Sequence, residues 1–183
     1  YHSFSRKDSP LSGAICIKIT VDSRPQKRDI WSRKEAEAME KNNVHLMEHK
    51  SYKLMKDGQH IIISGVRNPF DLKKNGDSPS QHFPADDFIL LLTHTPDYAE
   101  DTDVSNANLV LAGHTHGGQV SLFKKYSPVK HSIYGNRFLT GRKENSAGVP
   151  IIITNGLGTS RMNVRLFTPS EVVLVVLHRV EKK

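Results

Sequence analysis

The chain of 183 residues has a single cysteine, Cys16, so it can form no internal disulfide, and the compartment stays open. Its place in the apolar run "AICIKI" points to core packing. No apolar stretch approaches the ~18 to 20 residues that a membrane-spanning helix needs, and no basic, apolar, small-residue signal pattern opens the sequence. Aromatic residues are few (five Tyr, seven Phe, one Trp) and are not laid out among basic residues as a stacking platform for single-stranded nucleic acid requires. There is no internal repeat or low-complexity tract, and the Pro, Gly and Ser clusters are short enough to be loops. Acidic residues are also in deficit, 19 against 26 Lys and Arg, and the resulting +7 draws phosphates, nucleic acid or anionic headgroups without choosing among them.

The length fits one domain with a real core. The sequence begins Tyr-His-Ser without an initiator Met, so a longer parent protein is expected, with any targeting or anchoring segment elsewhere in it. "AICIKI" (14–19) reads as a buried strand, and "SRKEAEAMEKNN" (32–43), with its Ser32-to-Glu35 capping box, as a short surface helix. Residues 44–66 alternate apolar and polar around Asp57-Gly58, which predicts an antiparallel hairpin. "DFILLL" (87–92), "NLVLAG" (108–113), "VPIIIT" (149–154) and "EVVLVVLHRV" (171–180) read as further strands, with helical material at 97–106.

Two of the buried strands end in histidine. "ILLLTHTPD" puts His94 just past one, and "LVLAGHTHGGQ" puts His114 and His116 just past the other. Ligands collect outside the carboxyl ends of strands in α/β sheets, so the three imidazoles are expected to converge there if the strands are neighbours. In an extended segment His114 and His116 face the same way, and two nitrogens aimed at one place suit a metal. Gly113, Gly117 and Gly118 let the backbone turn sharply and approach a ligand. A lone histidine there would more often decorate a polar loop; the double pattern favours the metal. His45, His49 and His60 read as sheet-surface residues, and His2, His82, His131 and His178 as loop or terminal ones. The other basic residues read as a solvated surface, with "KKYSPVK" (124–130) as the one local cluster.

With these residues in view, "GHTHGGQ" preceded by "LLTHTPD" resembles the calcineurin-like metallophosphoesterases, in their bacterial YkuE- and YaeI-type branch of membrane-associated or exported phosphodiesterases. The resemblance continues through "NVHLMEHKSYKL", "IIISGVRNP", "IYGNRFLTG" and "TNGLGTSRMNVRLFTPSEVVLVVL" in order. It implies an α/β (α+β) fold, the C-terminal part of a four-layer αββα sandwich with mixed sheets, in a single partial domain over 1–183. It also implies a two-metal site of Mn, Fe or Zn whose motifs run D-x-H, G-D, G-N-H-D or G-N-H-E, a lone His, then G-H-x-H. His94 matches the lone His and His114 the first His of the last motif, both ligands of one metal, while His116 matches a ligand of the other.

The sequence departs from that pattern at the third motif, where Ile19-Thr20-Val21-Asp22 aligns with G-N-H-D. Asp22 matches, but Thr20 stands for the metal-binding Asn and Val21 for the His that protonates the leaving group. The first two motifs, which carry the bridging carboxylate, would precede residue 1. The neutral imidazoles that remain are expected to hold at most one Zn, Mn or Fe ion, weakly. Arg161 and Arg165, past the strand at 151–154, suit a substrate phosphate and equally an exposed surface, and Asn155, Gly156 and Gly158 would shape their loop. The expectation is therefore a metal-dependent phosphoesterase, truncated or degenerate, acting on a phosphate ester. An inactive scaffold or interaction protein is the alternative, and a basic nucleic-acid-binding module is disfavoured. By analogy the protein is membrane-associated or exported, reaching a membrane surface through an N-terminal anchor; otherwise it is cytoplasmic.

Overall fold

The computed structural model describes residues 37, 38, 40–42, 45, 47, 49–56, 58–66, 77–123, 125–129, 131–160 and 162–178. The chain divides into two units, 1–46 with 172–183 and 47–171. In the first, Glu37, Ala38, Glu40 and Lys41 are helical and exposed, as the helix-forming composition of 32–43 predicts. The strand expected at 14–19, with Cys16, lies outside the described residues, as does Asp22. Residues 171–178 form no strand, contrary to the reading of their apolar run. A strand persists only when a neighbour takes up its backbone hydrogen bonds, and none pairs with this segment among the described residues.

The second unit is built on a sheet. Its described strands are β1 (Lys50–Lys56), β2 (Gln59–Gly65), β3 (Ile89–Leu92), β4 (Leu109–Ala112), β5 (Gly141–Glu144) and β6 (Pro150–Ile153), in the spatial order β1-β2-β3-β4-β6-β5. β1 and β2 form the predicted antiparallel hairpin, in register from Lys50 opposite Gly65 to Lys56 opposite Gln59. β2, β3, β4 and β6 run parallel, and β5 closes the far edge antiparallel to β6. The fold is α/β with a mixed sheet, as expected.

The central strands are apolar on both faces because both faces are covered. Leu91, Val110, Ala112, Ile151 and Ile153 lie on one face with Tyr98, Ala99 and Phe138; Leu90 and Leu92 lie on the other with Ile63, Met47, Leu54 and Leu111. The helical reading of 97–106 reduces to one turn, Tyr98–Asp101. β5, with the sequence Gly-Arg-Lys-Glu, was not anticipated. Polar residues line both edges of the sheet: Lys50, Lys53 and Lys56 of β1 and Arg142 and Glu144 of β5 are exposed.

All four parallel strands end on one side, and hydrogen bonding continues past their ends. Thr93 N–H donates to Leu111 O at 3.0 Å and Gly113 N–H to His94 O at 3.1 Å. Thr154 N–H donates to Ala112 O at 3.0 Å. The carboxyl ends of β3, β4 and β6 are thus a continuous frame, and the histidine motifs leave from it.

Candidate functional site

His94 and His114 emerge from adjacent parallel strands, and their rings meet. His94 Nε2 and His114 Nδ1 face each other at 2.8 Å, with ring centroids 4.6 Å apart in an edge-on arrangement. The convergence expected from the two motifs holds for this pair. Burial depresses both imidazoles: His94 is brought down to about 3 by desolvation, then by the neighbouring His114 and His116. His114 is lowered by its own burial and by His131, with Asp97 acting in the opposite direction. Both rings are therefore neutral near pH 7, and in the metal-free chain one of the two facing nitrogens donates its N–H to the lone pair of the other.

The loop that carries His114 and His116 is not extended, so the period-two argument for their common direction does not apply. His114 (φ 69), His116 (φ 50), Gly117 (φ 60), Gly118 (φ 77) and Gln119 (φ 54) are all left-handed. Residues with side chains adopt this region at a cost of about 1–3 kcal/mol each, and such positions persist only where the surroundings hold them. Those surroundings are specific. A Cβ on Gly117 would sit 2.3 Å from Asn155 Oδ1, and one on Gly118 would sit 2.2 Å from Ser127 Oγ. Thr115, buried between the two histidines, donates from Oγ1 to Leu139 O at 2.8 Å.

His116 turns toward the loop after β6. Its Nδ1 lies 3.1 Å from Gly158 O. A carbonyl only accepts, so Nδ1 bears the proton and Nε2 is left with the lone pair. Its basicity is lowered by burial and by Arg165, partly offset by its bonds to the backbone of Gly158 and Asn155.

Arg165 is tied to the chain itself. Its guanidinium donates to the carbonyls of Asn155 (2.9 Å), Thr168 (3.2 Å), His116 (3.3 Å), Gly156 (3.3 Å) and Gly158. Gln119 reinforces the same loop, donating to Met162 O at 3.1 Å and Val164 O at 3.3 Å and accepting from Ser160 N–H. Asn155 shapes it as expected: its Oδ1 accepts from Thr140 Oγ1 at 2.7 Å, and its N–H donates to Glu171 at 2.9 Å. Arg161 and Asp22 lie outside the described residues.

One neighbour escaped the sequence reading. The His131 ring stands 6.0 Å from that of His114, at the end of a loop anchored by Asp97, which accepts from Ser132 Oγ at 2.5 Å and Ile133 N–H at 2.9 Å. Its only sequence signal was nearness to the 124–130 basic cluster. Among the described residues no three His, Cys, Asp or Glu side chains are gathered into a metal-holding group. The donors themselves suit a divalent ion: two facing nitrogens of half-buried, neutral imidazoles fit part of its ligand set, and the described residues gather no more of it.

The chain is 36% identical over 90 residues to an uncharacterised metallophosphoesterase of Bacillus subtilis, YkuE, covering 49% of this chain and 31% of that protein. It is 31% identical over 121 residues to an uncharacterised metallophosphoesterase of Aquifex aeolicus, covering 66% of this chain and 42% of the relative. A third, from Campylobacter jejuni, is 34% identical over 88 residues, 48% of this chain and 22% of its own length. The matched stretch thus spans less than half the length of each of these relatives. No family model matches the chain, and no solved structure matches it significantly. These relatives support the metallophosphoesterase superfamily.

Proposed function

We propose that this chain supplies the histidine side of a metal-dependent phosphoesterase centre of the YkuE type, acting on a phosphodiester or phosphomonoester. The observation that supports it best is the His94–His114 pair, 2.8 Å apart at the carboxyl ends of adjacent parallel strands. In this reading His94 and His114 hold one divalent ion, Mn, Fe or Zn, and His116 offers Nε2 toward a second. Held there, such an ion would supply Lewis-acid polarisation of a phosphoryl oxygen and acidification of a water near neutral pH. The residues of the chain prepare for it. Burial keeps the imidazoles unprotonated, Gly158 O fixes the His116 tautomer, and Arg165 and Gln119 hold the neighbouring loop in place. Arg161, the other arginine past β6, is the candidate for a substrate phosphate.

The anionic part of the centre is what the sequence does not provide: no D-x-H occurs in the 183 residues, and Thr20 and Val21 replace the Asn and His of the third motif. That substitution favours a second reading, a scaffold that keeps the fold without the chemistry. Titration of the metal-free chain with Mn²⁺, followed by electron paramagnetic resonance, separates the two. The phosphoesterase reading expects saturable binding of no more than one ion, weakened about tenfold or more by His114→Ala or His94→Ala. Binding that is absent, or indifferent to both substitutions, overturns it in favour of the scaffold.

A further inference from the structure

His114 is held at both ring nitrogens. Its Nδ1 faces His94 Nε2 at 2.8 Å. The ring also bonds the backbone of His131, and that bond raises its basicity. A bond that favours the protonated ring is one the ring donates, so the acceptor is the His131 carbonyl, and with Nδ1 taken by His94 the donor is Nε2–H. A neutral imidazole protonated at Nε2 keeps its lone pair on Nδ1, on the side of His94. His116 is arranged the other way round, with Nδ1 on Gly158 O and the lone pair on Nε2. Each histidine of the H-x-H pair thus has its tautomer set by a carbonyl, and the two carbonyls come from different loops.

The His131 carbonyl is placed in turn by a residue that follows β3. Three residues past His94, Asp97 stands at the N-cap of the helical turn Tyr98–Asp101, yet its side chain makes no capping bond to that turn. Both carboxylate oxygens reach instead to the residues after His131: Oδ1 accepts from Ser132 Oγ at 2.5 Å and Oδ2 from Ile133 N–H at 2.9 Å. Ser132 Oγ itself accepts from Tyr134 N–H at 3.0 Å, so its one proton is committed to Asp97. The carboxylate also acts on the His114 ring through space, favouring the protonated form against the desolvation that opposes it.

Two further carboxylates of the same turn hold the chain beyond this point. Glu100 accepts from Arg137 Nη1 at 2.8 Å and from Ser146 N–H at 3.0 Å, and Asp101 accepts from Tyr134 O–H. Among the described residues Asp97 is the carboxylate bonded directly beside His131. The general attachment of the segment and the placing of one carbonyl therefore rest on different side chains.

We propose that Asp97 is a positioning residue of the histidine centre: its grip on Ser132 and Ile133 sets the His131 carbonyl against His114 Nε2, which aims the Nδ1 lone pair at the face shared with His94. The inference rests on the reading of His94 and His114 as ligands of one divalent ion. A carbonyl on the outer nitrogen of a metal-binding imidazole fixes the ring's orientation and raises its basicity, and losing such a partner costs about 10–100-fold in metal affinity. An aspartate suits the task because both loop groups, a hydroxyl and an amide N–H, donate, and a carboxylate offers two oxygens that only accept.

Long-range proton–nitrogen correlation spectra of the isotope-labelled, metal-free 183-residue chain near neutral pH read the tautomer directly. His114 is expected to carry its proton on Nε2 in the unsubstituted chain and to share it between the two nitrogens in Asp97→Ala. Mn²⁺ affinity, followed by electron paramagnetic resonance, should fall about tenfold or more in that variant with circular dichroism unchanged, and Asp97→Asn, which keeps one accepting oxygen, should fall between the two. Glu100→Gln controls for loosening of the turn, and should leave both the tautomer and the affinity as they are. If Asp97→Ala does not fold, Asp97→Asn against Glu100→Gln carries the same comparison. An unchanged His114 tautomer in the folded Asp97 variant, or an equal loss in Glu100→Gln, overturns the proposal. Because the tautomer is read without metal, that failure is distinct from failure of the phosphoesterase reading, which falls if the unsubstituted chain binds no Mn²⁺.

Discussion

A methyl group added at Gly117 would lie 2.3 Å from Asn155 Oδ1 and 2.3 Å from Thr168 Cγ2. Both side chains are no more than 2% exposed, and neither is free to move aside. Asn155 Oδ1 accepts from Thr140 Oγ1 at 2.7 Å, and Thr168 Oγ1 is bonded to Ser121 Oγ at 2.8 Å. Displacing them weakens hydrogen bonds worth about 0.5–1.5 kcal/mol each. The positive φ adds about 1 kcal/mol for any residue with a Cβ. Gly117→Ala should therefore destabilise the chain by roughly 2–4 kcal/mol. Gly148 isolates the backbone part, because its φ is +79 and an added Cβ meets nothing within 4 Å. Gly148→Ala should cost only about 1 kcal/mol. With a urea dependence of about 2 kcal/mol per molar, the unfolding midpoint falls by about 1–2 M for Gly117→Ala and about 0.5 M for Gly148→Ala. Equal midpoints for the two variants would refute the packing argument.

Other outcomes follow from the same site. Because the folded pKa of His94 is about 3 and its ordinary value is 6.5, the unfolded chain takes up the proton first as pH falls. The stability His94 contributes to the metal-free chain is thus complete above pH 6.5 and lost progressively toward pH 3. Calorimetric midpoints should fall across that window, and a flat profile would contradict the burial of the ring. Arg165→Met removes the guanidinium donor from the carbonyls of Asn155, Thr168 and Gly156, the last of which keeps Glu171 N–H, and should cost roughly 2–4 kcal/mol in urea unfolding. Arg165→Lys should recover only a minor part, since one ammonium cannot span those acceptors. Turnover of an aryl phosphodiester by the chain in excess Mn²⁺ or Zn²⁺ should stay at background, also after Thr20→Asn with Val21→His, because the bridging carboxylate is still lacking. Robust turnover abolished by His114→Ala would show that other carboxylates had taken over those ligand positions.

The strands around the site were legible because burial on both faces writes itself as unbroken apolar runs, as in "ILLL" and "LVLA". The hairpin was legible in its turn dipeptide. β5 was not, since a strand with one neighbour and polar side chains leaves no hydrophobic period to read. The 171–178 run shows the converse: apolar composition states a preference, whereas pairing requires a partner. Within the site, strand ends located His94 and His114, but the period-two argument for His116 assumed extended backbone where the flanking glycines had already announced a turn. The binding of Arg165 could not be read either, because its acceptors are backbone carbonyls, which every residue carries and no sequence distinguishes. His131 joins the cluster only through a loop that returns from residue 120 and is tied to Asp97, a relation between distant segments.

The polar edges of the sheet bear on how this chain behaves in company. An uncapped edge strand offers a row of backbone donors and acceptors, a template on which another chain can add a strand and begin to aggregate. Lys50, Lys53 and Lys56 along β1 set like charges against any second copy of that edge, and the four-residue β5 carries Arg142 and Glu144 on a length too short to seed extended pairing. A chain whose central strands are almost wholly aliphatic is thereby kept from polymerising through its own hydrogen bonds. Substituting apolar residues for the β1 lysines should turn it into a fibre-forming protein, with the histidine cluster on β3 and β4 left intact.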